Sequence, residues 1–281
     1  MAVFMDLNVS FLPDRSDLRS VVETASHRDI RSFRCLFCVT SFLQEIPTPT
    51  PINELIDQLP VVQGRSRPIR VLNRLTVVMS DASHFVSSVN SDYRRFDLLA
   101  VQPTSEKLFH AACMVYDIDI ICVPMTEKLP FFFKRAPING AIDRGVVFEV
   151  SYSAAIRDST MRRYTIANAV SLMESCKGKV ALFLQCFLYQ RLDFLALLFG
   201  LSDGDAKEAV SSTCRAALLH AETRRTASGI IYTTRSQQEA PQGSVDGRFK
   251  SGYLYRCYRC LCSVAIELRW NKVMMSESNT S

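Results

Sequence analysis

Between Thr126 and Tyr164 the chain carries Lys128, Lys134, Arg135, Arg144, Arg157, Arg162 and Arg163 against Glu127, Asp143, Glu149 and Asp158. The cations stand between short apolar runs, several where an expected strand gives way to an expected helix. A cation at a helix start opposes the macrodipole by about 0.3–1 kcal/mol. Such placement is unfavourable unless an anion binds there, or unless Arg162 and Arg163 are solvated or pair with Asp158 and Glu149. The chemistry this pattern suits is phosphate binding, not bond making.

Residue types for other chemistry are sparse. The histidines are His27, His84, His110 and His220, with no two at a metal-ligand spacing. Two C-x-x-C pairs occur, Cys35/Cys38 and Cys257/Cys260, with Cys262 close by. They are far apart in the chain and lack Gly-rich knuckle turns, so no metal site is expected. Nucleophile elbows, Walker loops and paired carboxylates at strand ends do not occur, and no cofactor or catalytic residue is expected. The run Phe131-Phe132-Phe133 reads as core or interface in preference to a base-stacking platform.

The elements that would position the cations follow a β-α rhythm. Val3–Val9 reads as a strand, and a helix capped by Ser16 or Asp17 follows it to about Ser26. Pro47, Pro49 and Pro51 exclude regular structure. Asn53–Leu59 reads as a short helix, Gln63–Arg70 as a basic loop and Val71–Met79 as a strand, with Asp81 capping a helix through Val89. Leu98–Val101 and Ile118–Val123 are buried strands, and each leads into the phrase P-x-[ST]-E-K-L, which predicts a capped helix both times. Val146–Tyr152 is the next strand. A helix from Asp158 shows an apolar stripe of Ile166, Ala169, Val170 and Met173, with Gly178 at its end. Further on, Ser202 opens a new helix, and Thr213–Ala221 is helical. Short strands alternating with helices predict a parallel sheet, and seven or eight units in some 230 residues predict an α/β fold closed as a β/α (TIM-like) barrel. Absence of a G-x-G-x-x-G turn argues against an open nucleotide-binding sheet. The expected domain is 1–233, with an irregular tail over 234–281.

Composition sets the outer limits. The 281 residues are 48% hydrophobic and 22% charged, with a net charge of +5, which excludes global disorder and permits a nucleic-acid partner without requiring one. Ten cysteines without a signal peptide predict reduced thiols. Val180–Leu201 raises a transmembrane question, but Gln185, Gln190, Arg191 and Asp193 near its middle argue against a span.

Three blocks, VQGRSRPIRVLNRLT (62–76), TEKLPFFFKRAPINGAIDRGVVFEVSYSAAIRDSTMRRYTIANAVSLMESCKGK (126–179) and LLFGLSDGDAKEAVSSTCRAALLHAETRRTASGII (197–231), resemble the 30-kilodalton protein subunit family of eukaryotic nuclear ribonuclease P, which also serves ribonuclease MRP. The resemblance implies a β/α-barrel-like subunit of a ribonucleoprotein in which RNA removes the 5′ leader from precursor tRNA, with a role in ribosomal RNA processing through the MRP particle. It implies as partners the catalytic RNA, precursor tRNA in the assembled particle, and other protein subunits including a small one. It also implies nuclear and nucleolar location and no membrane. Carried onto this sequence, the RNA- or partner-contact candidates are Arg67, Lys128, Lys134, Arg135, Arg144, Arg157, Arg162 and Arg163.

Three segments depart from the family pattern. Residues 27–45 lack its apolar second strand, 180–194 replace a strand and polar loop with a shorter hydrophobic piece, and the chain after about Ile231 is aromatic and cysteine-rich. They read as an altered transcript or gene product and predict a barrel lacking two strands. The leading expectation is a non-catalytic RNA-binding scaffold subunit. The rivals are a stand-alone metal-dependent phosphoesterase or nuclease on a barrel, and a purely protein-bridging subunit.

Overall fold

Seven parallel strands hydrogen-bond side by side in the order in which they occur in the chain. The computed structural model describes residues 4–10, 14–27, 30–37, 48–49, 51, 54, 56–62, 68–81, 93–152, 155, 158–176, 180–183, 199–226, 230–232 and 254–256. The strands are β1 (Phe4–Ser10), β2 (Ile30–Phe37), β3 (Arg74–Met79), β4 (Leu98–Pro103), β5 (Ile120–Cys122), β6 (Val147–Ser151) and β7 (Val180–Phe183). Between and after them run α1 (Arg15–His27), α2 (Glu106–Met114), α3 (Arg135–Asp143), α4 (Ser159–Cys176), α5 (Asp203–Ala209) and α6 (Ser212–Arg225). A doubly wound sheet would reverse its order at a switch point. This one does not, and the Cα atoms of β1 and β7 come within 8 Å of each other, so the sheet curls into the expected β/α barrel.

The two segments expected to lack a strand each contain one. β2 pairs with β1 on one side and with β3 on the other, and β7 pairs with β6 from Phe148↔Val180 to Ser151↔Phe183. The charges in RSFRCLF hide the strand pattern. A backbone ladder with neighbours on both edges overrides that local signal. Beyond the barrel, β8 (Ile230–Tyr232) pairs antiparallel with β9 (Leu254–Arg256). Among the described residues no helix is long and apolar enough to cross a membrane.

Alternation along the strands builds two apolar layers. Leu75, Val77, Leu99, Val101, Ile121, Phe148 and Val150 face the surrounding helices. Met5, Leu7, Leu98, Ala100, Ile120, Cys122 and Val147 form a second cluster with Cys214, Ala217 and Ala221 of α6. Burial on both faces is why the strands read as continuous apolar runs. The spacing of 214, 217 and 221 puts three small side chains on one stripe, which lets α6 approach the strands' N-terminal ends closely. Met5 N–H donates to Val210 O at 3.0 Å just ahead of α6.

Several local expectations are revised. Asp14, not Ser16 or Asp17, caps α1: its Oδ1 accepts from Ser16 N–H and Ser16 Oγ, both at 2.8 Å. Ser105 caps α2 by accepting from Leu108 N–H, but the second P-x-[ST]-E-K-L phrase opens no helix. Pro130 follows it and disfavours helical backbone at Leu129, so α3 waits until Arg135. The buried stripe of α4 is Thr165, Ala169, Leu172, Met173 and Cys176, rotated from the one expected because Ile166 and Val170 are only half buried. Ser202 caps α5 as expected, accepting from Asp205 N–H at 3.1 Å. The helix expected after Asp81, Gly178, Cys38, the Cys257/Cys260 pair and most of 180–201 lie outside the described residues.

Candidate nucleic-acid interface

In an all-parallel barrel every strand's C-terminal end lies at the same end of the molecule, so the segments after β5 and β6 share that end. The first carries Lys128 and leads to Lys134 and Arg135 at the start of α3. The second leads to Asp158 and then to Arg162 and Arg163 in the first turns of α4. Asp158 Oδ1 accepts from Thr160 N–H at 2.7 Å and Met161 N–H at 2.8 Å, which fixes where α4 begins. Asn168 of α4 ties the two segments together: its Nδ2 donates to Met125 O at 3.1 Å and Glu127 O at 2.8 Å. Lys128 is therefore carried on a loop anchored to the helix that bears Arg162 and Arg163.

The start of α3 favours an anion, whereas the start of α4 already carries the Asp158 carboxylate as its cap. Neither α3 nor α4 has an acidic residue in its first turn, and Lys134 at the N-cap of α3 makes no side-chain capping bond. Lys134 Nζ pairs with Glu106 Oε1 at 2.6 Å, with both side chains largely exposed, so the pair contributes ~0–1 kcal/mol. Arg162 Nε donates to Ala155 O at 2.6 Å. Among the described residues no ion pair engages the exposed Lys128, Arg135 and Arg163. The pairing considered for Arg162 and Arg163 does not occur with Glu149, which lies inside the barrel against Arg74.

Arg144 belongs elsewhere. It follows α3 and precedes β6, at the opposite end of the barrel, where Nη1 donates to Cys113 O at 2.7 Å and Nη2 donates to Tyr116 O. These are carbonyls at and just past the C-terminal end of α2, and a cation there agrees with the macrodipole. Arg144 thus closes a helix end, unlike the cations with which sequence spacing grouped it. Arg67 and Arg157 lie outside the described residues.

Between Lys128 and Lys134 the aromatic run splits by role. Phe131 and Phe133 both pack on Phe109 of α2, with ring centroids 5.1 and 5.8 Å away, and against each other edge-on at 6.1 Å. Phe132 points outward and is 91% exposed. Leaving a Phe in water in place of burying it forgoes about 1.5–3 kcal/mol. A run of three identical residues gives no sign in sequence of which one is left outside.

Two buried polar clusters escaped sequence reading because their members are far apart in the chain. Inside the barrel Arg74 Nη1 meets Glu149 Oε2 at 2.5 Å and Leu7 O at 2.8 Å, Nε donates to Thr76 Oγ1 at 3.1 Å, and Asn8 Nδ2 donates to Glu149. At the N-terminal end of the strands, Asp119 accepts from Leu99 N–H at 2.8 Å and Arg224 Nη2 at 2.8 Å, and bonds His220 Nδ1 at 2.8 Å. Burial alone would raise the Asp119 carboxyl, but the His220 hydrogen bond together with the charge and hydrogen bonds of Arg224 outweighs it and holds the pKa below the ordinary value. Cys113 and Cys176 are the opposite case: burial pushes both thiols up to about 12, so they remain protonated and poor nucleophiles. Among the described residues no group of three or more His, Cys, Asp or Glu is placed to hold a metal ion.

Comparison with known proteins gives concordant matches. The family model described as RNase P subunit p30 matches residues 3–226. The ribonuclease P protein subunit p30 of Mus musculus is 47% identical over 248 residues, spanning 84% of this chain and 92% of the mouse protein. The ribonuclease P/MRP protein subunit RPP1 of Saccharomyces cerevisiae is 30% identical over 111 residues, spanning 40% of this chain and 38% of the yeast protein. Among solved structures, a chain of an archaeal ribonuclease P with mature tRNA superposes with a TM-score of 0.57 at 13% identity, covering 86% of this chain and all of that one. At that identity the likeness concerns the fold.

Proposed function

Because this chain belongs to the RNase P subunit p30 family, we propose that it is a non-catalytic, RNA-binding scaffold of the ribonuclease P particle, nuclear and nucleolar, and shared with ribonuclease MRP. Its barrel end carrying Lys128, Lys134, Arg135, Arg162 and Arg163 docks against the particle's RNA, and that RNA carries out removal of the 5′ leader from precursor tRNA. The observation that carries this reading is that, among the described residues, no ion pair engages the exposed Arg135 at the start of α3, Arg163 in the first turns of α4, or Lys128 in the loop tied to α4 by Asn168. Cations so placed repel their own helix ends and gain when phosphates arrive, releasing counterions as they bind.

The experiment is reconstitution of the particle with Lys128→Glu and Arg163→Glu, followed by measurement of RNA retained at increasing salt. Reduced retention with a shallower salt dependence is expected. Retention equal to wild type would overturn the basic-end reading and favour a protein-bridging role, in which crosslinks from this end would run to acidic subunits instead.

A further inference from the structure

Phe132 is the most exposed large apolar side chain among the described residues, and it stands within four residues of Lys128, Lys134 and Arg135. Its exposure is imposed by its neighbours. Phe131 is buried and Phe133 half buried against Phe109, with the two rings edge-on to each other. The backbone between them is held at both sides, and the intervening side chain has only solvent to enter. Lys134, two residues on, meets Glu106 of α2 in a weak exposed pair that a phosphate can displace. An aromatic ring is thus presented on a pre-organised support with cations on either side of it.

We propose that Phe132 stacks on an unpaired base of the particle's RNA while Lys128, Lys134 and Arg135 meet the flanking phosphates. The proposal rests on the basic-end reading above and names the RNA feature that this end takes. RNA exposes base faces only where nucleotides are unpaired, and proteins read such nucleotides by stacking aromatic rings on them. Charge complementarity selects RNA over an apolar protein surface: a protein covering Phe132 would also have to cover or neutralise three cations, whereas a nucleotide supplies an aromatic face and an anionic backbone together. Holding Phe131 and Phe133 in place beforehand reduces the ordering cost of that contact.

The test uses the particle reconstituted with wild type, Phe132→Ala, Phe132→Leu and Phe132→Tyr, with Arg163→Glu in parallel. Short-wave ultraviolet irradiation should attach a nucleotide to the tryptic peptide 129–134, and Phe132→Ala should abolish that adduct. Phe132→Ala and Phe132→Leu should each weaken RNA retention roughly five- to a hundredfold, and Phe132→Tyr should retain it, as stacking requires. Absence of an adduct on this peptide, or Phe132→Leu equal to wild type, overturns the proposal. If Arg163→Glu lowers retention while the Phe132 variants do not, stacking fails and the basic end stands. If none of the variants lowers retention, both fail. A photoreactive residue at 132 that crosslinks to a protein subunit, not to RNA, also overturns stacking.

Discussion

Arg74 and Glu149, 75 positions apart in the chain, meet at 2.5 Å inside the barrel with both side chains 1% exposed. The charge pair sits in a hydrogen-bond network in which Leu7 O, Thr76 Oγ1 and Cys122 Sγ accept from Arg74 and Asn8 Nδ2 donates to Glu149. Removing one partner strands the other's charge. Glu149→Ala is expected to destabilise by about 3–5 kcal/mol, whereas the double replacement Arg74→Met/Glu149→Leu should recover most of that loss. Urea denaturation of the three proteins checks this, and a double variant as unstable as the single one would contradict it.

Asp119 makes stability depend on acid. Its folded pKa lies below its unfolded one, near 3.9. In the window between those values the unfolded chain binds more protons, so stability rises with pH there. The contribution is fully present above the unfolded value and is lost as pH falls through it and then through the folded one. Asp119→Asn should flatten that acid limb, measured as denaturation midpoint against pH from neutrality downward.

Arg144 and Arg163 should separate stability from binding. Arg144→Ala removes charged hydrogen bonds to Cys113 O and Tyr116 O, at an expected cost of about 1.5–3 kcal/mol, with RNA retention in the surviving particle unchanged. Arg163→Ala, on an exposed face, should change stability by no more than about 0.5 kcal/mol and weaken retention. Thermal melts paired with retention assays give both numbers for each variant.

Lys128 offers a quantitative reading of phosphate contact. Replacing it with Ala should reduce the slope of log affinity against log salt by about 1. An unchanged slope would place Lys128 away from the phosphates, whatever happens to affinity at a single salt concentration.

The turn at Gly145, just past the C-terminal end of α3, supplies a control in the scaffold. Gly145 has φ +82, and a Cβ there would lie 3.0 Å from His220 Cδ2. Gly145→Ala is expected to destabilise by about 1–2 kcal/mol through left-handed backbone strain, with an effect on RNA retention only where the fold itself fails. Thermal denaturation is the check.

What the sequence discloses follows the range of the forces involved. Leu98–Val101, Ile118–Val123 and Val146–Tyr152 were legible because strands buried on both faces are apolar without alternation. β2 and β7 were not, since their neighbours in the sheet, not their side chains, decide their state. The repeated P-x-[ST]-E-K-L phrase misled at its second copy because Pro130, outside the phrase, disfavours the helix. For the candidate site, charge spacing singled out Lys128, Lys134, Arg135, Arg162 and Arg163 as candidates, and it could not tell that Arg144, after a helix, lies at the other end of the barrel from them. Arg74 with Glu149, and Asp119 with Arg224, are pairings between residues 75 and 105 positions apart, and no local pattern announces them.

The stripe of Cys214, Ala217 and Ala221 that closes the strands' N-terminal ends also sets a timetable for synthesis. β1 is the first strand made, yet Met5 finds the carbonyl of Val210 and the small side chains of α6 only after nearly the whole barrel has been translated. At roughly 5–20 residues per second, about ten to forty seconds separate the two. Through the later part of that interval Asp119, once made, waits for His220 and Arg224, which do not yet exist. A nascent chain stalled before residue 225 should therefore remain open to protease at β1, and one released beyond it should not.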